Sequence, residues 1–255
     1  MKLRLSELTL LISKQELEQL SSGKMLINTI NAHSYNVAQK DEAFADALTN
    51  GDCLIPDGAS IVKACKWLKG ESQPKERIAG WDLFAFEMQR LNQNEDENEN
   101  RKRKVMFMGS SEDVLEKIRQ RAAVDYPNLE IVTYSPPYKA EFSAEDNAAI
   151  IKAINQTKPD LLWIGMTAPK QEKWTWQHWN ELDIHCHVGT IGAVFDFYAG
   201  TAMRAPLWWQ RHSLEWLYRL IKEPKRMWRR YVIGNPLFIF RIIKEKMRKK
   251  HDKTK

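Results

Sequence analysis

The sequence predicts an α/β fold, a parallel sheet covered by helices, followed by a basic, aromatic-rich helical appendage. Three observations carry this. Strand-like apolar runs alternate with helix-length amphipathic segments between residues 25 and 188, the pattern of parallel strands joined by crossover helices. Polar and glycine residues collect where those runs end, as they do where parallel strands open into binding loops. The formal charge of +6 is also unevenly spread: residues 200–255 hold sixteen Lys or Arg against four acids, a net +12, which leaves −6 for residues 1–199. The expected organisation is a catalytic-sized core over 1–199 and an appendage over 200–255.

The elements follow in order. Met25–Ile30 reads as a strand, residues 35–48 as a helix, 53–55 as a second strand, and a further helix starts just after Asp57-Gly58. Residues 92–104 are acidic and then basic with no apolar side chain, so an exposed, mobile excursion is expected there. Residues 105–108 read as a buried strand, Gly109-Ser110 as a turn, 111–124 as a helix and Leu129–Tyr134 as the next strand. Ser143, three residues before Asp146, forms a capping box for a helix through Asn155. Pro159-Asp160 leads into a strand at 161–164, a loop at 165–169, a Trp-rich helix at 170–180 and a last strand at 184–188.

Composition narrows the classes. A chain of 255 residues, 43% hydrophobic and 10% aromatic, can bury a sizeable core, which excludes wholesale disorder. Residues 1–20 alternate apolar and charged side chains and lack a secretory pattern, so a cytoplasmic protein is expected. Cys53, Cys65 and Cys186 form no C-x-x-C pair and are odd in number, which suits reduced, buried thiols. In the tail, Trp208, Trp209, Trp216, Tyr218, Trp228 and Tyr231 interleave with arginines, a composition suited to a membrane surface. Residues 231–243 contain Gly234, Asn235, Pro236 and Arg241; the run is too short and too broken to span a bilayer, and can lie on one.

The rule that open parallel sheets bind ligands at strand C-termini selects the polar residues to weigh. After the first strand stand Thr29, Asn31 and His33, and after the second, Asp57. A lone carboxylate there can serve as a general base or can simply cap the following helix, and the residues alone leave both readings open. Gly109-Ser110-Ser111 can receive a phosphate or ribose on backbone N–H groups, or be an ordinary strand-to-helix turn. Gln171 and Glu172 open a helix, where an amide can meet a sugar or merely be first-turn polarity. His185 and His187 share a strand face opposite Cys186 without a further ligand at metal spacing, so no metal site is expected. Neither a G-x-G-x-x-G nor a P-loop pattern is present, and there is no D-x-D pair. A nucleotide-sugar enzyme without that pair has to neutralise its leaving diphosphate with arginines and helix N-termini. Arg219, Arg226 and Arg229 share one face if their segment is a single helix, although Pro224 can begin a new one; the bland reading is a solvated basic face.

Seven ordered blocks then carry a resemblance over residues 25–243: Thr29-Ile30-Asn31-Ala32-His33, Pro56-Asp57-Gly58, the stretch from Arg77 to Leu83, the stretch from Gly165 to Glu172, the stretch from Gly192 to Gly200, Arg204-Ala205-Pro206, and Leu214 to Leu220 with Glu223-Pro224-Lys225-Arg226. The chain resembles the WecG/TagA/CpsF family of bacterial glycosyltransferases, glycosyltransferase family 26. Pro56 stands where many members carry Ala, and Ala193-Val194 where they carry Gly-Gly.

The resemblance implies a Rossmann-like core and an inverting transfer with neither metal nor cofactor. It implies a UDP-sugar donor (a hexose, N-acetylhexosamine or its uronic acid) and a polyprenol-diphosphate-linked acceptor in cell-surface polysaccharide synthesis. It places Asp57 as the general base and Thr29, Asn31, Arg77 and Gln171 in the pocket. Arg219, Arg226 and Arg229 are implied to lie in the segment that closes the site and meets the inner membrane. Gly109 and Ser110 join these as candidate substrate contacts, and a homo-oligomer is compatible. Two rival classes were weighed. A nucleic-acid-binding protein would use the basic tail but leave Asp57 and the polar strand ends without purpose, and a non-catalytic membrane scaffold would keep tail and fold without turnover.

Overall fold

A computed structural model describes residues 3–93 and 101–252. Among them, six strands form one all-parallel sheet: β1 (Met25–Ile30), β2 (Cys53–Pro56), β3 (Arg103–Gly109), β4 (Leu129–Tyr134), β5 (Leu161–Gly165) and β6 (His187–Thr190), in spatial order β2-β1-β6-β5-β3-β4. The helices of the core are α1 (Ala32–Ala38), α2 (Glu42–Thr49), α3 (Ala59–Leu68), α4 (Gly80–Gln93), α5 (Glu112–Asp125), α6 (Ala144–Thr157), α7 (Lys170–Gln177) and α8 (Gly192–Tyr198). The fold is Rossmann-like α/β, as expected.

Strand alternation builds the core. Ile27, Ile55, Val105, Phe107 and Trp163 project to one face, against Leu83, Phe84 and Met88 of α4 and Phe195 of α8. Leu26, Met106, Met108, Leu162, Ile164 and Val188 project to the other, against Ile150 and Ile154 of α6 and Trp174 of α7. Burial on both faces explains why the central strands read as continuous apolar runs. At the C-terminal edge the backbones of β3 and β5 come close: a side chain at Gly109, whose φ is +121°, would collide with the Gly165 carbonyl.

Several boundaries differ from the sequence reading, each for a local reason. The helix expected at 35–48 is two helices, because Asp41 accepts from the Phe44 N–H at 3.0 Å and starts α2 afresh. The Ser143–Asp146 capping box is present as read. The last strand is His187–Thr190 rather than 184–188: pairing with β1 begins at His187, while Leu182, Ile184 and Cys186 only fill the core below it. Of the excursion expected at 92–104, Asn92 and Gln93 instead close α4 and Arg103 and Lys104 open β3, while residues 94–100 lie outside the described residues. Asp160 holds that basic strand end, accepting from the Lys104 N–H at 2.7 Å and pairing with Arg101 and Arg103.

Beneath the sheet's opposite edge lies a buried ion pair. His187 Nδ1 lies 2.8 Å from Glu87 Oε1, its Nε2 lies 2.8 Å from the Ser21 carbonyl, and Glu87 Oε2 accepts from Arg90 at 2.6 Å. Burial opposes both charges, yet the Glu87 partnership lifts the His187 pKa above its ordinary 6.5, and His187 with Arg90 holds Glu87 below 4.5. A raised histidine pKa stabilises the fold below 6.5 and loses that contribution as pH rises through the folded value; the depressed Glu87 loses its contribution as pH falls. Glu87→Gln is therefore expected to cost about 3 kcal/mol and to flatten the alkaline side of the stability–pH curve, measured by urea titration across pH.

The C-terminal segment has two parts. Short helices α9 (Leu207–Arg211), α10 (Glu215–Lys222) and α11 (Pro224–Trp228) are followed by a π-helical turn, Arg229–Ile233, and then by α12 (Gly234–Asp252). Pro224 begins α11 at its first position, so Arg219 belongs to a different helix from Arg226. Gly234-Asn235-Pro236 does not break the chain's helical path. The wider π turn directly before α12 accommodates Pro236, which has no N–H to return to the preceding turn. Among the described residues no helix is long and apolar enough to cross a membrane.

Candidate active site

The parallel register carries Asp57 to the C-terminal edge of the sheet. Ile30 pairs with Pro56, and the Asp57 N–H donates to the Ile30 carbonyl at 2.9 Å, which continues the sheet one residue beyond β2. Gly58, not Asp57, is the N-cap of α3. The Asp57 carboxylate instead faces Arg77, whose Nε and Nη2 both lie 3.3 Å from Oδ1. Of the two readings that the sequence left open, the helix cap is not what the side chain does: it pairs with Arg77.

The electrostatics there are unusual for an aspartate beside an arginine. Although 26% of the Asp57 side chain stays open to the cleft, loss of hydration among the surrounding walls outweighs Arg77 and lifts its pKa above the ordinary carboxylate value; Glu215 adds to the rise and Arg230 opposes it. Arg77 itself is held charged. Its Nη1 donates to Glu215 Oε2 at 2.7 Å, and Glu215 Oε1 lies 4.0 Å from Arg204 Nε. Four alternating charges thus run from the β2 terminus to α10.

Other candidates fall around this centre. Thr29 is half-buried near the end of β1, level with Ile55. Asn31 is fixed by a capping box: its Oδ1 accepts from the His33 and Ser34 N–H groups at 3.0 and 3.1 Å, and its Cβ lies close to Gly58. Gln171 is only 5% exposed. Its Oε1 accepts from the Met166 and Gly192 N–H groups, tying the loops after β5 and β6 together, while its Nε2 donates to Glu172 at 2.9 Å. It shapes the edge from behind. Glu172 is buried with Oε2 unpartnered, and burial pushes its carboxyl up to about 7. Gly109 and Ser110 end β3, four strands from β2, which at the usual strand spacing is roughly 19 Å along the edge. Because β3 connects outward to β4 and β5 connects back towards β6, these residues border the crevice where strand order switches direction.

The tail arginines divide differently from the sequence expectation. Arg226 is 62% exposed and pairs with Glu223 at 2.6 Å, and Arg229 is exposed over the Trp228 ring. Arg219 packs its guanidinium over Phe197, and its Nε is buried without a hydrogen-bond partner. The inward-facing residue of the π turn is Arg230 rather than Arg229. Its Nε is also buried and unpartnered, burial pulls its pKa down, and its charge is felt at Asp57 and at His33, whose pKa burial and Arg230 together push to about 4. The side chain rotates inward because the π turn widens the helical repeat just there, a shift that counting by 3.6 cannot foresee. Asp196 of α8 lies near Arg226 and Arg219, with its pKa raised by burial. Sequence reasoning named the blocks containing Glu215, Arg204 and Asp196 without assigning them roles; nothing in the local pattern says that a helix 138 residues away meets Arg77. Among the described residues no three His, Cys, Asp or Glu converge as metal ligands.

A family model described as "Glycosyl transferase WecG/TagA/CpsF family" matches residues 2–252. The chain is 29% identical over 225 residues to an N-acetylglucosaminyldiphosphoundecaprenol N-acetyl-beta-D-mannosaminyltransferase of Bacillus subtilis strain 168, covering 88% of this chain and 81% of that protein. It is 29% identical to proteins of the same name from Bacillus spizizenii, over 94% of this chain and 87% of the relative, and from Staphylococcus aureus strain MW2, over 91% and 85%.

Proposed function

The chain belongs to the WecG/TagA/CpsF family of glycosyl transferases, and from that premise we propose that it moves a sugar from a UDP-sugar to a polyprenol-diphosphate-linked saccharide, with inversion, using Asp57 as the base. The observation that carries the reading is an aspartate with a raised pKa that feels the charges of Arg77 and Arg230, with the buried Nε atoms of Arg219 and Arg230 left without a hydrogen-bond partner. Asp57 takes the proton of the acceptor hydroxyl as its oxygen bonds to the anomeric carbon. The bond from that carbon to the diphosphate oxygen breaks on the opposite face, and the electron pair leaves with UDP. Arg219 and Arg230 suit the departing charge, since the Nε of each is buried without a hydrogen-bond partner and can donate to an incoming oxygen. Arg226 and Arg229, more exposed, suit the phosphates of the incoming acceptor. The Gly109-Ser110 turn, at the switch crevice, suits the nucleoside end of an extended donor.

The relatives' names specify an undecaprenol-diphosphate-linked N-acetylglucosamine acceptor and a transferred N-acetyl-β-D-mannosaminyl group, and we carry to this chain that acceptor and the UDP-activated form of that sugar as the first substrates to test. Membrane contact is part of the same proposal. Trp208, Ile221, Trp228, Val232, Phe240 and Met247 are exposed on a segment of net charge +12, which favours an anionic surface by insertion and by charge together. The test is UDP release from a panel of UDP-sugars, with acceptor either soluble and short-chained or embedded in anionic vesicles. Turnover should persist in EDTA, and added salt should depress it on vesicles far more than in solution. Loss in EDTA restored by magnesium or manganese would refute the metal-free mechanism, and absence of release with every donor would leave the scaffold reading standing.

A further inference from the structure

Arg77 is shared unequally between two carboxylates. Its bonds to Asp57 are long, 3.3 Å for both Nε and Nη2 and both to one oxygen, whereas its bond to Glu215 is 2.7 Å. The close contact goes to α10. Glu215 opens α10, has only 13% of its side chain exposed, and is steadied on its other oxygen by Arg204, whose guanidinium stacks over Trp81.

We propose that Glu215 is a positioning residue which, by holding Arg77 away from close bidentate pairing with Asp57, keeps the Asp57 carboxylate available to take a proton while the C-terminal segment covers the site. The inference rests on the reading of Asp57 as the base. Arginine presents a rigid fork that matches a carboxylate on two parallel bonds, and an aspartate held that way is a poor base. The charged groups facing Asp57 are Arg77 from the loop leading to α4, Glu215 from α10 and Arg230 from the π turn, with Arg204 beyond Glu215. Of these, Glu215 is the anion: it raises the proton affinity of Asp57 directly and also by drawing Arg77 aside. Base strength is thereby tied to the seating of α10. A site whose covering helix is absent would have Arg77 free to close on Asp57, which would restrain attack by water on the donor.

The test uses the full chain and a soluble diphosphate-linked acceptor, so that membrane docking does not enter. In Glu215→Gln the acid limb of the kcat/KM profile should move down by about one pH unit, as expected when a neighbouring charge is removed. At neutral pH kcat should fall on the order of tenfold or more, with a smaller change in donor KM. Glu215→Asp, which keeps the charge on a shorter stem, should recover part of both, and it serves as the readable variant if the amide fails to fold by thermal melt. An acid limb that stays at the wild-type pH while turnover falls would make Glu215 an anchor only and overturn the inference, as would wild-type turnover in Glu215→Gln. Failure of the underlying reading looks different: Asp57→Asn would then retain turnover with its acid limb intact.

Discussion

Asp57→Asn is expected to keep its melting temperature within a few degrees of the wild type and to lose turnover by roughly 10²–10⁴, the usual contribution of a positioned general base. The amide matches the carboxylate in shape and can still accept from Arg77, so packing around the β2 terminus is preserved. What it cannot do is take a proton. The raised pKa of Asp57 sharpens this expectation. A base of higher proton affinity is a stronger acceptor, provided that it is still ionised at the working pH, so the wild-type profile should show an acid limb above the ordinary aspartate value of 3.8. In Asp57→Asn the residual rate should show no such limb, because the titrating group is gone. Binding of the donor, followed by thermal shift, should change little, since the guanidinium groups that meet the diphosphate remain. If Asp57→Asn turns over near the wild-type rate with an authentic acceptor, the carboxylate is only Arg77's structural partner and the displacement mechanism needs a different base.

How much of this was legible depends on the range of the interaction. The sheet could be read because strands buried on two faces give continuous apolar runs, and Met25–Ile30 and Leu129–Tyr134 match to the residue. The Ser143 capping box is a local motif and was equally legible. Asp57 could be located from the strand-end rule, but only its contact with Arg77, twenty residues on, distinguishes a cleft carboxylate from a cap. Long-range pairings escaped. The Arg77–Glu215 bond and the inward turn of Arg230 depend on how the C-terminal helices fold back and on a π turn, and neither leaves a periodic trace in the sequence. The resemblance names Arg219, Arg226 and Arg229; in the structure Arg229 is exposed over Trp228, while its neighbour Arg230 has its Nε buried.

The division at residue 200 is where the physical reading changes most, and it yields the second large effect. Charge asymmetry marks residues 200–255 as an appendage to the core. Yet α12 is built into that core: Phe238 and Ile242 are each 4% exposed and pack with Leu3, Leu5, Leu8, Tyr35 and Ile61. Tyr35 meets the Phe238 ring edge-on at 5.4 Å. Glu245 is buried, accepting from the Leu5 and Ser6 N–H groups at 3.1 and 2.7 Å and from the Tyr35 hydroxyl at 2.8 Å. Arg241 donates to the Asn36 carbonyl, and Asn36 donates back to the Gly234 carbonyl. Burying two large apolar side chains contributes about 3–6 kcal/mol, and each buried donor left unmatched costs about 1–3 kcal/mol. Set against a typical total of about 5–15 kcal/mol, a chain ending at Ile233 should lose most of its stability and aggregate, although every residue of the sheet is retained. Glu245→Ala isolates the polar share: it strips three donors of their acceptor and should lower stability by roughly 2–4 kcal/mol, on the order of 5–15 °C in melting temperature for a chain of this size. By contrast, neutralising Lys244 and Arg248, both exposed on α12, should change melting little, because exposed charges contribute to surface attraction rather than to the fold. If the chain ending at Ile233 melts as the full protein does, α12 is a detachable anchor after all, and Glu245 holds the N-terminal segment without holding the fold.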